Sequence, residues 1–173
     1  CISLESVTIG RNMSHISDSA FKGCSGLTSI TIPDSVTNIG SSAFSGCSEL
    51  TSIIIPDSVT SIGASIFENC ISLESVTIGR NMSHIADSAF NGCSGLTSVT
   101  VPGNVTSIGS SAFSGCSGLT SIIIPDSVTS IGASIFENCI SLESATIGRN
   151  MSHISDSAFK GCSGLTSICL LYT

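Results

Sequence analysis

Cationic side chains are scarce in this sequence: two Lys and three Arg stand against twelve carboxylates, for a formal charge of −7. Binding to a phosphate backbone needs clustered cations, so nucleic acid is excluded as a partner. Charged residues of both signs are only 10% of the chain against 41% hydrophobic, a balance too apolar for a disordered segment. Ser, Thr and Gly nevertheless interrupt every apolar run, and no stretch is long enough to insert into a membrane. The chain lacks an initial Met and a basic, apolar leader, and it starts in mid-repeat at Cys1, so it reads as a piece of a longer array.

The patterns that carry chemistry are also missing. No C-x₂₋₄-C pair offers zinc its converging ligands, and no D-x-D-x-D-G loop offers a calcium cage; Asp18, Asp34, Asp57, Asp87, Asp126 and Asp156 read as turn and cap residues. G-x-S-x-G is absent, and each Ser has equivalents in other coils, so no single nucleophile stands out. His15, His84 and His153 recur 69 residues apart. That places neighbours on the order of 15 Å from one another, too far to share a ligand or a proton. Arg11, Arg80 and Arg149 fail on the same spacing. No catalytic residue, metal or cofactor is assigned.

What is present is a ruler. Cysteine falls at Cys1, Cys24, Cys47, Cys70, Cys93, Cys116, Cys139 and Cys162, and phenylalanine at Phe21, Phe44, Phe67, Phe90, Phe113, Phe136 and Phe159, both every 23 residues. That period lies within the roughly 20 to 29 residues of units that supply one strand and one return segment. A longer period overlies it: residues 1 to 69 recur at 70 to 138 with eight differences, and 139 to 168 recur again with one. Residues 1 to 173 thus form a single array of about seven and a half repeats, with a 69-residue super-repeat of three coils.

Within one unit, Leu27, Ile30 and Ile32 fit the L-x-x-L-x-L strand pattern, apolar side inward. Strands are expected at residues 4 to 9, 27 to 32, 50 to 55, 73 to 78, 96 to 101, 119 to 124 and 142 to 147, with one more in the final TSICLL. Pro33 ends the strand, VTNIG is expected to add a very short second one, and Gly40 to adopt a backbone conformation closed to other residues. Ser41 or Ser42 is expected to cap a single helical or 3₁₀ turn that carries Ala43 and Phe44 inward. The eight ruler cysteines read as buried free thiols, because stacked strands hold equivalent side chains roughly 4.8 Å apart without the convergence a disulfide requires. Cys169, off the ruler and at an outward position, is expected to react.

Leu27 to Leu50, LTSITIPDSVTNIGSSAFSGCSEL, closely resembles the BspA-like leucine-rich-repeat family in its strand-ending IP, its SVTxIG and its AF-x-x-C. The resemblance covers essentially the whole chain. It implies a β-rich, right-handed leucine-rich-repeat solenoid with one parallel sheet on the concave face and short turns or 3₁₀ segments on the convex side. It also implies a surface or secreted protein, often linked to adhesion, of host-associated bacteria and some protozoa. The GRNMSHI coils depart from the pattern, with Gly10, Gly79 and Gly148 where it has proline.

The outward strand positions are the candidate binding face. Their first column runs Glu5, Thr28, Thr51, Glu74, Thr97, Thr120, Glu143 and Thr166; the second is Ser throughout; the third runs Thr8, Thr31, Ile54, Thr77, Thr100, Ile123, Thr146 and Cys169. Concave faces are the usual binding surfaces of solenoids, and here Glu and exposed Ile give relief to a hydroxylated sheet. The same columns equally describe a solvated sheet with hydroxyl ladders.

Three readings follow: a non-enzymatic interaction or adhesion module taking a protein or glycan through the concave face, a structural spacer, and an ice-binding surface, which Glu and Ile disfavour by interrupting the ladders. Asn12, Asn81, Asn104 and Asn150 stand in N-x-S/T sequons, which would carry glycans only on a secreted eukaryotic product. Both ends expose core positions, so end-to-end self-association of the chain is expected.

Overall fold

The computed structural model describes residues 1–171; of the CLLYT tail, expected to be either a cut or a cap, Tyr172 and Thr173 lie outside the described residues. The chain winds into a parallel β-solenoid of two strand series, with no helix among the described residues. One series comprises β1 (Ser6–Thr8), β3 (Ser29–Thr31), β5 (Ser52–Ile54), β7 (Ser75–Thr77), β9 (Ser98–Val99), β11 (Ser121–Ile124), β13 (Ser144–Ile147) and β14 (Ser167–Leu170). These form the face expected to be concave. The second series comprises β2 (His15–Ile16), β4 (Asn38–Ile39), β6 (Ser61–Ile62), β8 (His84–Ile85), β10 (Ser107–Ile108) and β12 (Ser130–Ile131), the short VTNIG strands. Pairing is parallel and one repeat apart, as in Ser6↔Ser29 and His15↔Asn38.

The first-series strands are two to four residues long, shorter than the six expected. Leu27 is fully buried, but its N–H bonds to the Cys24 carbonyl inside its own turn (3.0 Å), so its side chain enters the core before its backbone joins the sheet. Inward Leu27, Ile30, Ile32, Val36 and Ile39 are buried as the pattern requires.

A third wall carries the SSAFSGC segments, and here the expected capped helical turn does not form. Ser42 sits at φ 55° in the left-handed region, and its equivalents from Ser19 to Ser157 lie between 54° and 60°. The N–H groups of Ser42, Phe44 and Gly46 donate to Ala64, Ile66 and Glu68 of the following coil at 2.8 to 3.0 Å. Alternate donors thus tie one coil to the next, while Ser45 and Cys47 bond back to Ser42 and Phe44 as single turns (3.1 Å each), and the bonds between coils hold Ser42 in a region costly for a residue with a Cβ. The seven phenylalanine rings stack along this wall with centroids 5.4 to 5.8 Å apart and planes within 22°.

Beside the rings runs the cysteine ladder. Cys24 to Cys139 are buried, whereas Cys162 is half-buried and Cys1, expected to be buried with the rest, is exposed because no coil packs before it in this chain. Each buried thiol from Cys47 onward donates to the carbonyl of a Phe 26 residues earlier, as in Cys70 to Phe44 (3.1 Å) and Cys93 to Phe67 (3.0 Å). Burial, and then the Cys24 thiol, push Cys47 up to about 11, while burial followed by Cys162 pushes Cys139 up to about 12; Cys93 and Cys116 rise well above the ordinary range.

The two sheets are not continuous. The first divides into β1-β3, β5-β7-β9 and β11-β13-β14, the second into β2-β4-β6 and β8-β10-β12. One residue column on each face accounts for the breaks. At strand ends, the column reads Gly10, Pro33, Pro56, Gly79, Pro102, Pro125, Gly148. Pairing fails where Pro56 follows Pro33 and where Pro125 follows Pro102, and holds wherever glycine stands on one side of the junction. Glycine permits an approach that a side chain forbids: a Cβ on Gly79 would lie 2.4 Å from the Pro56 carbonyl oxygen. On the second face the column reads Ser17, Gly40, Gly63, Ala86, Gly109, Gly132, Ser155, and pairing fails between β6 and β8, where Ala86 follows Gly63.

Gly40 itself does not adopt positive φ; its role is this close approach, since a Cβ there would meet the Asp18 backbone nitrogen at 2.5 Å. Real side chains at Ala86 and Ser155 hold the coils apart, and after Ile131 the Ser155 hydroxyl bonds the Ile131 carbonyl (2.9 Å) in place of a backbone ladder.

Candidate binding face

Strand alternation decides what the first face displays. In β5 the burial pattern is exposed, buried, exposed, so Ser52 and Ile54 point out while Ile53 points in. By the same rule Glu5, Thr8, Thr28, Thr31, Thr51, Glu74, Thr77, Thr97, Thr100, Thr120, Ile123 and Glu143 are all exposed, and Thr146 is half-buried. The structure brings all fourteen expected residues onto one surface.

That surface is made rigid by hydroxyls tied to backbone. The Thr that follows each Glu donates to the Glu carbonyl: Thr28 to Glu5 at 3.0 Å, Thr97 to Glu74 at 3.5 Å and Thr166 to Glu143 at 2.9 Å. The Glu side chains remain available, since the three ion pairs among the described residues use Asp57, Asp126 and Glu137. Ile54 and Ile123, each 66% exposed, stand out from a column that is otherwise Thr from Thr8 to Thr146.

Two hollows lie at the breaks in the sheet. One, about 270 Å³, is lined by Ser29 to Ile32, Asp34, Ser52 to Ile54 and Pro56. The other, about 220 Å³, is lined by Ser98 to Val101 and Ser121 to Ile123, the same positions 69 residues on. Neither break was read in the sequence, although its signal, proline following proline at a spacing of 23, is visible there.

The remaining candidates fall elsewhere. His84 lies on the second face with Nδ1 2.8 Å from the Ser107 hydroxyl, and His15 has only its neighbour Ser14 at 3.4 Å. Among the described residues, no three His, Cys, Asp or Glu side chains converge on a metal position. The sequon amides of Asn81, Asn104 and Asn150 donate to the Asp57, Arg80 and Asp126 carbonyls of the preceding coil at 2.6 to 2.8 Å, so they act as rungs between coils. An ion pair missed in the sequence joins Arg80 to Asp57 at 2.8 Å. The Arg80 backbone N–H, then its guanidinium, hold the Asp57 carboxyl below the usual range.

Comparison with known proteins agrees with this geometry. A sequence model of the BspA type leucine rich repeat region matches in six copies over residues 1–116 and 83–173. A leucine-rich repeat protein of Treponema pallidum superposes with TM-score 0.69 at 22% identity, over 95% of this chain and 68% of that one. One from Bacteroides ovatus gives 0.61 at 31% identity, over 99% of this chain and 62% of that one. A leucine rich cell surface protein of Faecalibacterium prausnitzii gives 0.53 at 26%, over 96% and 59%. The chain thus spans about six-tenths of the length of the last two. No curated protein matches the sequence. Two overlapping matches cover the chain from end to end, and the solenoid has the matching strand series: this protein belongs to the BspA-type leucine-rich repeat family.

Proposed function

We propose that this chain is a non-enzymatic interaction module of a surface or secreted protein, engaging a protein or glycan partner through its first face in an adhesive role. One observation carries the reading: before the last coil, where Cys169 stands, the face departs from a plain hydroxyl ladder at Glu5, Glu74, Glu143, Ile54 and Ile123, and the Ile positions coincide with hollows at breaks in the sheet. Relief repeated every three coils suits a partner that lies along the solenoid. A cell-surface setting is supported by the F. prausnitzii relative, which is described as a cell surface protein.

The test is a face-directed binding assay. Host matrix proteins and mucin glycans are applied to the chain and to a variant carrying Ile54→Thr and Ile123→Thr, with Thr60→Lys on the second face as control. Loss of capture confined to the first-face variant is expected. Equal capture by all three would leave the spacer reading, which needs only stacked repeats, in its place.

A further inference from the structure

Resting on that reading, we infer that the first face is built for an extended, basic polypeptide that seats aliphatic side chains in the two hollows.

Size points to side chains as the occupants. At about 270 and 220 Å³ the hollows fall below the roughly 300 to 1,000 Å³ of pockets that enclose a whole small molecule. Exposed Ile54 and Ile123 form one wall of each, so the favourable contact is with an aliphatic group. The hollows are three coils apart, roughly 15 Å at the usual spacing between strands, which an extended chain covers in about four to five residues.

Charge decides the sign of the partner. The outward strand positions include Glu5, Glu74 and Glu143 and no Lys or Arg, and Asp34 lines the first hollow; Arg80, which lines a further hollow of about 220 Å³ between the two, is held by Asp57 in an ion pair at 2.8 Å. A sulfated or sialylated glycan would meet repulsion at each of these sites. Among the described residues a neutral sugar would find no aromatic platform on this face, because the rings of Phe44 to Phe136 are buried in the core. A basic polypeptide meets neither obstacle, and cations at the same spacing can reach the Glu column.

The two hollows also differ in a useful way: Asp34 of the first is matched by Gly103 in the second. The hollow beside Ile54 is therefore the more selective for a cation.

The probe is a fluorescent synthetic 14-residue peptide with Leu every fourth position and Lys between, titrated into the 173-residue chain at low salt, with a Glu-for-Lys peptide and a neutral mannan oligosaccharide as competitors. Expected is saturable binding of the Lys peptide that weakens at least tenfold between 20 and 150 mM salt, and no binding of the Glu peptide. Ile54→Thr with Ile123→Thr should weaken it at least fivefold. Glu74→Gln with Glu143→Gln should flatten the salt dependence, and Asp34→Gly should cost more than Asp126→Gly. Pro56→Gly, which closes the first break, keeps the test decisive should an Ile variant misfold.

Unchanged affinity in the Ile and Pro56 variants, or equal binding of the Glu peptide, overturns the inference. Mannan binding lost with Ile54→Thr overturns it while leaving the interaction module standing. No effect of any first-face substitution on any probe removes both.

Discussion

The phenylalanine wall and the first strand face are built from the same coils, yet one is unbroken and the other breaks twice. Rings from Phe21 to Phe159 stack without interruption because every coil places the same residue there and every coil donates N–H groups to the next. The strand face instead depends on a column that alternates Pro and Gly, and fails where two prolines meet. The Phe and Cys columns, which stack on copies of themselves, keep a period of 23, while the two outward columns that carry Glu and Ile take a period of 69. The wall is where the array is held together; the face is where it is free to acquire relief.

The largest expected effect sets wall against face by pH. The raised thiols of Cys47 to Cys162 are neutral in the fold, and below about pH 8 they are neutral in the unfolded chain as well, so stability is complete there. As pH rises past about 9 the unfolded chain loses protons that the fold retains. Each buried thiol then costs about 1.4 kcal/mol per pH unit, up to about 11 for Cys47 and about 12 for Cys139. Thermal melts should fall steeply between pH 8.5 and 10.5, and Cys116→Ala should reduce the slope. A melting temperature flat to pH 10.5 would contradict the buried ladder.

Next come substitutions that break each region separately. Phe90→Ala, at a fully buried ring, should cost about 3 to 5 kcal/mol in urea titrations, and Phe159→Ala, half-buried in an end coil, less than half of that. Gly79→Pro would extend the proline column and drive a ring toward the Pro56 carbonyl; a loss of about 3 kcal/mol is expected, with faster amide exchange across β5 and β7. Should that variant exchange as slowly as the parent, proline stacking is not what opens the sheet.

Smaller effects sharpen the contrast between middle and end coils. Ile2, Met13, Ile168, Leu170 and Leu171 are exposed in the end coils, so the 173-residue chain is expected to self-associate as salt rises, read by light scattering. Thiol reagents should modify Cys1 and Cys169 in the native state and leave Cys70 to Cys139 untouched. Smallest of all, Arg80→Ala should leave the denaturation midpoint in place, because the Arg80–Asp57 pair is solvent-exposed.

By itself the sequence determined the period, the inward set of Leu27, Ile30, Ile32, Phe44 and Cys47, and the outward columns of the first face. Repetition leaves few arrangements in which identical coils bury identical residues, and strand alternation then assigns each position a side. Only the tertiary structure decided where backbone donors go. Ser42 looked like a helix cap because local chemistry favours one, but its own N–H and those of Phe44 and Gly46 find their acceptors in the next coil. The spacing between coils was likewise a tertiary matter: whether Pro56 clears Pro33, or Ala86 clears Gly63, depends on what lies 23 residues away in the chain and in direct contact across the stack. The hollows beside Ile54 and Ile123 lie at two of those junctions, so they became visible only once the coils were stacked.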